Sequence, residues 1–260
     1  MSAHTYPGHV LVLLPPSEGK ASRRRGTPVD LGTLSFPELN EPRLRVLHAL
    51  ADTSSAAEAA TTLGVGASLG DDVARNTRWR TEPALPASAL YTGVLYDALD
   101  LPGLPPAARR RAATRLLVVS AAWGALRPGD RVPPYRLSMG VDLPGVGPLA
   151  AHWRRHLAGT LSPLATGLVV DCRSATYVAA WRPRGAVAVR VLQERAGRRS
   201  VVSHMAKHTR GLVTRHLLAR GGRDPRTPDA LADIVSERFE VEMGPASRDG
   251  GRTLDVIVRA

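Results

Sequence analysis

The sequence predicts a mixed α/β fold, a single domain with a central β-sheet flanked by helices. Three observations point there. Short apolar runs at 10–14 (VLVLL), 115–120 (RLLVVS) and 167–171 (GLVVD) read as strands buried on both faces. Helical patterns lie between these runs, so strands and helices interleave along the chain. No internal repeat and no linker of distinct composition divides the 260 residues, which are therefore read as one domain over 1–260.

In chain order, the first strand ends at Pro15-Pro16, and a loop over 17–28 carries Glu18, Lys20 and the run Arg23-Arg24-Arg25. Helices rich in Ala, Leu and charge are expected over 37–63 and 69–79. Pro83 and Pro86 break the chain before ALYTGVLYDAL, and Pro102, Pro105 and Pro106 lead into a short basic helix near 109–114. The second strand runs into SAAWGALRPGDRVPPYRLSMG, too rich in Gly and Pro to be helical throughout. A helix at 149–161 precedes the third strand, and a short helix at 175–181 follows it. Strands at 187–192 and 200–202 flank a turn, the strongest helical pattern covers 203–218, and 238–243 with 253–258 suit a closing hairpin.

Hydrophobic residues make up 43% of the chain but aromatics only 4%, so the core must be built from Leu, Val and Ala. A net charge of +12 suits a polyanionic partner such as DNA, RNA or a nucleotide, although an arginine-rich surface left by codon bias accounts for it equally well. The basic residues are 33 arginines and two lysines, Lys20 and Lys207. In a composition typical of a GC-rich genome, a surviving lysine marks a position where a compact ammonium with a shiftable pKa serves and a planar guanidinium does not. One cysteine, Cys172, excludes an internal disulfide. No run approaches the length of a membrane span, and the N-terminus lacks the basic start and long apolar core of a signal peptide. A cytoplasmic protein without membrane contact is the expectation.

PPSEGKAS falls short of a phosphate-binding P-loop, because Leu14 and Ala21 stand where Gly and Ser or Thr are needed. What remains is a strand end that delivers Ser17, Glu18 and Lys20 together, at the place where α/β sheets bind ligands. After the second strand, Ser120, Trp123, Arg127, Asp130, Tyr135 and Arg136 offer aromatics interleaved with cations, suited to stacking on bases and pairing phosphate, or to a packed loop with Trp123 and Tyr135 in the core. On the helix at 203–218, Ser203, Lys207, Arg210 and Thr214 form one narrow stripe edged by Ala206, Val213, Leu217 and Leu218, as on a helix lining a pocket. His204, His208 and Arg215 mark its expected solvent face.

The histidine pairs His152/His156 and His204/His208 have chelating spacing but no third ligand, so solvated histidines are expected and neither a metal nor a cofactor is called for. Cys172 reads as a small buried hydrophobe more readily than as a reactive thiol. VDLPGVGPLAAHW matches only the second half of a helix-hairpin-helix element.

Taken together, SAAWGALRPGDRVPPYRLSMG, DCRSATYVAAWRP and SHMAKHTRGLVTRHLL, supported by LLPPSEGKA and LYTGVLYDAL, resemble the YaaA-like peroxide-stress protein family. The resemblance runs from the first strand to about Leu218, and 221–260 match least. It implies a single-domain mixed α/β protein with a positively charged cleft, associated with DNA binding and with limiting iron-driven damage under peroxide. It places Lys20, Ser120, Trp123, Gly124, Arg127, Pro128, Pro134, Tyr135, Arg136, Tyr177, Lys207, Arg210 and Gly211 along that cleft. The PPSEGK loop is longer than the Ser-Pro-Ala-Lys-like version of many members.

Two functions are open. One is a stress protein that binds double-stranded or junction DNA through Ser17, Ser120, Arg127, Arg136, Tyr177, Ser203 and Arg210, with Trp123 or Tyr135 stacking on bases. The other is an enzyme acting on a nucleotide-like small anion, possible also within a biosynthetic pathway, with Lys20 and Lys207 holding it and Glu18 or Asp130 as general base. In either case the two lysines are expected to face each other across one anionic site. The oligomeric state is not legible.

Overall fold

A computed structural model describes residues 8–195, 197–201 and 203–259. Its centre is a mainly parallel sheet built from the expected apolar runs. The strands are β1 (Leu11–Leu14), β2 (Leu116–Ser120), β3 (Gly124–Leu126), β4 (Val169–Asp171), β5 (Val187–Arg195), β6 (Arg198–Val201), β7 (Glu240–Met243) and β8 (Arg252–Arg259). They lie in the order β7-β8-β5-β4-β1-β2-β3, with β6 paired to β5. β8, β5, β4, β1 and β2 are mutually parallel, and β3, β6 and β7 run antiparallel to their neighbours. Every residue of β1, β2 and β4 is buried, which explains why these strands read as unbroken apolar runs without alternation.

The helices are α1 (Asn40–Ser55), α2 (Gly70–Arg75), α3 (Val94–Leu99), α4 (Pro106–Arg115), α5 (Leu149–Leu161), α6 (Ala175–Val178), α7 (Ser203–Ala219) and α8 (Pro228–Ser236), with a few shorter turns of helix between them. The helix expected over 37–63 is broken into pieces, with Ala56 in an extended conformation after α1. The hairpin expected near the C-terminus forms as β7 and β8. Rather than capping an edge alone, β8 lies parallel beside β5 with Leu254, Asp255, Val256 and Ile257 buried. Its Asp255 faces Arg190 directly across the ladder and accepts hydrogen bonds from it at 2.6 and 2.7 Å. The loop after β2 contains a strand that was not foreseen, β3. Gly124 opens it with φ +70°, and a side chain there would meet the Trp153 ring at 2.5 Å. Trp153 packs on that bare backbone and donates its indole N–H to Ala121 O at 2.7 Å.

Connectivity creates the place for a site. From β1 the chain moves to β2 on one side, whereas β4 returns to the other side of β1 and β5 and β8 continue away from it. Loops leaving the C-terminal ends of β1 and β4 therefore diverge, and a crevice opens between them. Residues 15–20 and 172–177 come from those two strand ends. Among the described residues, no helix is long and apolar enough to cross a membrane.

Candidate functional site

The loop after β1 is pinned rather than free. Tyr96 donates its hydroxyl to Pro15 O at 2.7 Å, Thr92 N–H donates to Ser17 Oγ at 3.0 Å, and Ala21 N–H donates to Leu90 O at 2.8 Å. Lys20 forms an antiparallel bridge with Tyr91, which turns its side chain back over the loop. Its ammonium donates to Ser17 O at 2.8 Å and to Glu18 O at 3.4 Å, and it lies 4.2 Å from the centre of the Tyr135 ring and 5.8 Å from that of Tyr91. Burial in this niche, reinforced by the nearby Arg136 charge, pulls the Lys20 pKa down to about 7, against the opposing pull of Asp72 and Glu18.

β2 supplies the floor. Ser120 at its end is fully buried, accepts the Trp123 N–H at 3.1 Å and shares a 2.7 Å hydrogen bond with the Tyr135 hydroxyl. Tyr135 in turn meets the Tyr91 hydroxyl at 3.1 Å, and Tyr91 stacks on Tyr96 with centroids 5.4 Å apart. Burial raises the pKa of Tyr91, Tyr96 and Tyr135 well above the usual phenol value and that of Tyr177 to about 12, so all four phenols stay protonated. Tyr177 comes from α6 after β4, and its phenol lies near Ser138, Met139, Glu18 and Arg136. α6 is held by Arg173, which is buried, forks onto Asp171 at 2.8 and 2.6 Å and donates to Trp181 O at 2.7 Å.

Glu18, Lys20, Asp72, Arg75, Pro134 and Tyr135 line a small recess at this point. Arg136 borders it, donating to Glu18 O at 3.3 Å and lying 3.5 Å from the Glu18 carboxylate. The Arg136 backbone is set by Asn76, a buried side chain that accepts its N–H at 2.9 Å and donates to its carbonyl at 3.0 Å, as a neighbouring strand would. Asp72, Arg75 and Asn76 were not anticipated. Their stretch, GDDVARN, reads as an ordinary solvated helix, and only the fold brings it against the 134–136 loop. Tyr91 and Tyr96 had a signal, since LYTGVLYDAL is among the motifs behind the family resemblance.

The structure therefore brings together Ser17, Glu18, Lys20, Ser120, Tyr135, Arg136 and Tyr177. Other expected residues stand elsewhere. Trp123 is fully buried, so its ring is not available to a base, and the Tyr135 ring is covered by Lys20. Arg127 closes the C-terminus of α4 through Thr114 O at 2.8 Å. Asp130 holds a turn, accepting from Ser35 N–H at 2.9 Å, Ser35 Oγ at 2.8 Å and Arg127 N–H at 2.7 Å; its lone pairs are committed to structure. Arg210 donates to Val189 O at 2.9 Å, and the side chain of Ser203 lies outside the described residues. Lys207 is exposed on α7, and among the described residues none of the groups around Lys20 comes from that helix, so the two lysines do not share one set of contacts. Gly211 is a packing position: a side chain there would run into Leu95 O and lie 2.8 Å from the Ala98 methyl.

Further expectations on neighbouring residues also change. Arg215, read as solvent-facing, bonds to Leu99 O and Asp100 O at 2.9 and 2.7 Å. His152 is not solvated but buried against Trp153, where burial lowers its pKa to about 4. The reading of Cys172 as a small buried hydrophobe holds instead: it is fully buried, its thiol pushed up to about 11.

The sequence model of the family described as peroxide stress protein YaaA matches residues 10–243. The chain belongs to that family. It is 50% identical over 258 residues to a UPF0246 protein of Streptomyces coelicolor, covering 96% of this chain and 98% of that relative. A UPF0246 protein of Corynebacterium efficiens is 40% identical over 230 residues, with 87% and 91% coverage. One of Corynebacterium glutamicum is 36% identical over 255 residues, with 96% and 100% coverage. The family match thus extends past Leu218 into β7, beyond the segment over which the motifs alone were recognisable.

Proposed function

We propose that this member of the peroxide-stress family binds DNA in the cytoplasm, contacting the phosphate backbone through the loop that carries Lys20. The observation that carries the reading is the arrangement of that loop. Arg23, Arg24 and Arg25 are exposed three residues beyond Lys20, and among the described residues they form no hydrogen bond or ion pair. A run of cations without internal partners, on a chain of net charge +12, supports a polyanionic ligand. The Lys20 recess beside it suits one anionic group, a single phosphate or the head of a nucleotide-like molecule, held by Lys20 and Arg136. With Trp123 buried and Tyr135 covered, base stacking has no platform there, so recognition is expected to follow backbone charge and shape.

Fluorescence anisotropy with labelled duplex and junction oligonucleotides tests this. Affinity should fall by orders of magnitude between about 50 and 200 mM salt, and replacing Arg23, Arg24 and Arg25 with Gln should flatten the salt slope by up to about 0.9 per lost contact. Affinity that is independent of salt, oligonucleotide length and these arginines would count against DNA as the partner.

A second reading rests on a separate observation. Lys20, with its pKa near 7, sits in an enclosed niche beside Glu18, which suits proton transfer or nucleophilic chemistry on a small anion. Asp130 and Lys207, the other catalytic candidates, lie outside that niche.

A further inference from the structure

Two carboxylates, Glu18 and Asp72, stand near the Lys20 ammonium, and each has another cation as its partner. Glu18 lies 3.5 Å from Arg136 and Asp72 lies 3.8 Å from Arg75. Among the described residues Lys20 has no ion pair; its contacts are two backbone carbonyls and two aromatic rings. It also forms part of the wall of the recess, between Glu18, Arg75 and Tyr135, so the nitrogen is enclosed without being sealed off. Arg75 lines the same recess together with Asp72, and the Arg136 guanidinium borders it at Glu18. A cleft built only to hold an anion gains from three permanent cations, and this chain supplies arginine at 33 of its 35 basic positions. At position 20 it keeps the one basic side chain that is able to lose its proton.

We infer that Lys20 is an imine-forming amine whose ligands are small anionic carbonyl compounds, a carboxylate or phosphate lying one or two bonds from an aldehyde or ketone. This rests on the second reading above and names its substrate class. Arg136 and Arg75 hold the anionic group, which places the carbonyl carbon against Nζ. The nitrogen lone pair forms the new C–N bond as the C=O π pair moves to oxygen. The two amine hydrogens then pass to that oxygen, which leaves as water, and the C=N bond closes without oxidant or reductant. Burial lowers the Lys20 pKa to about 7, which makes the neutral amine far more accessible near neutral pH than in an ordinary lysine with a pKa of about 10.4. Arg136 favours that neutral form, and Asp72 and Glu18 oppose it.

The two-lysine composition makes the test clean. In a Lys207→Arg variant Lys20 is the only lysine, and in a Lys20→Arg variant only Lys207 remains. Each is incubated at pH 7 with glyoxylate and cyanoborohydride, which reduces an imine to a stable secondary amine, and the product is mapped by peptide mass spectrometry. Lys20, in its recess, should be labelled about tenfold or more faster than the exposed Lys207. Glycolate, which has the same carboxylate but no carbonyl, should protect it, and Arg136→Met should slow it. Equal labelling of both lysines overturns the inference. So does absence of a Lys20 adduct while glycolate still perturbs tyrosine fluorescence, a result that leaves anion binding in the recess intact. Absence of both removes the anion-binding reading as well.

Discussion

Substituting Gly211 and Gly159 with alanine should move stability in opposite directions, although both lie within helices. Gly211 sits where α7 crosses α3, is buried, and has Leu95 O and the Ala98 methyl in the space a Cβ would fill, the latter at 2.8 Å. Neither obstacle is the end of a flexible side chain: one is backbone and the other is a methyl fixed to it. The helices would have to separate, and such overpacking costs about 1–3 kcal/mol. Alanine's better helix propensity returns up to about 1 kcal/mol, leaving a net loss of up to about 2 kcal/mol. Gly159 is exposed near the end of α5 with nothing within 4 Å of the added carbon, so only the propensity gain remains, about 0.5 kcal/mol. Equilibrium urea denaturation followed by tryptophan fluorescence should show the midpoint of Gly211→Ala below wild type and that of Gly159→Ala at or above it, with unchanged slopes. A Gly211→Ala protein as stable as Gly159→Ala would refute the close α3–α7 crossing.

Two further outcomes concern the site itself. Asn76→Ala leaves the half-buried Arg136 N–H and carbonyl without their side-chain partner and should cost about 1–3 kcal/mol in the same denaturation assay, while weakening anion binding in the recess by loosening Arg136. Because the folded-state pKa of Lys20 is lowered to about 7 from 10.5, the unfolded chain binds more protons between those values. Folding is therefore penalised by this group below pH 7 and is relieved of the penalty as pH rises toward 10.5. Measured as the difference between wild type and Lys20→Met, the stability of wild type should rise relative to the variant across that window. A pH-independent difference would mean that Lys20 titrates normally.

The α/β class and the three central strands were legible because a strand buried on both faces needs an unbroken apolar run, and β1, β2 and β4 are such runs. Helix α5 was readable to its ends for a related reason, since its apolar positions repeat with the helical period and Trp153 and Leu157 are fully buried. The loop after β2 left two readings open, a binding surface or a packed loop with Trp123 and Tyr135 in the core, and both of these side chains are buried. Its mixture of aromatics and cations allowed one binding surface, yet Trp123 went into the core, Arg127 to the end of α4 and Asp130 into a turn, while Pro134 and Tyr135 line the recess and Arg136 borders it. Side-chain direction within an irregular loop has no period, so spacing carries no information about which residues converge.

Lysine usage shows the same division. Composition alone marked Lys20 and Lys207 as unusual, because a scarce residue type is visible in one dimension. Which of them has an altered environment depends on burial and on where the neighbouring charges are spent, and both are set by contacts between distant segments. Tyr91, Tyr135, Asp72 and Arg136 surround Lys20 only because three other segments pack against the loop after β1, whereas Lys207 remains on an exposed helix face. The sequence by itself determined the α/β class, its three central strands and the family. Tertiary structure decided which residues meet, because desolvation and charge pairing act between side chains far apart along the chain.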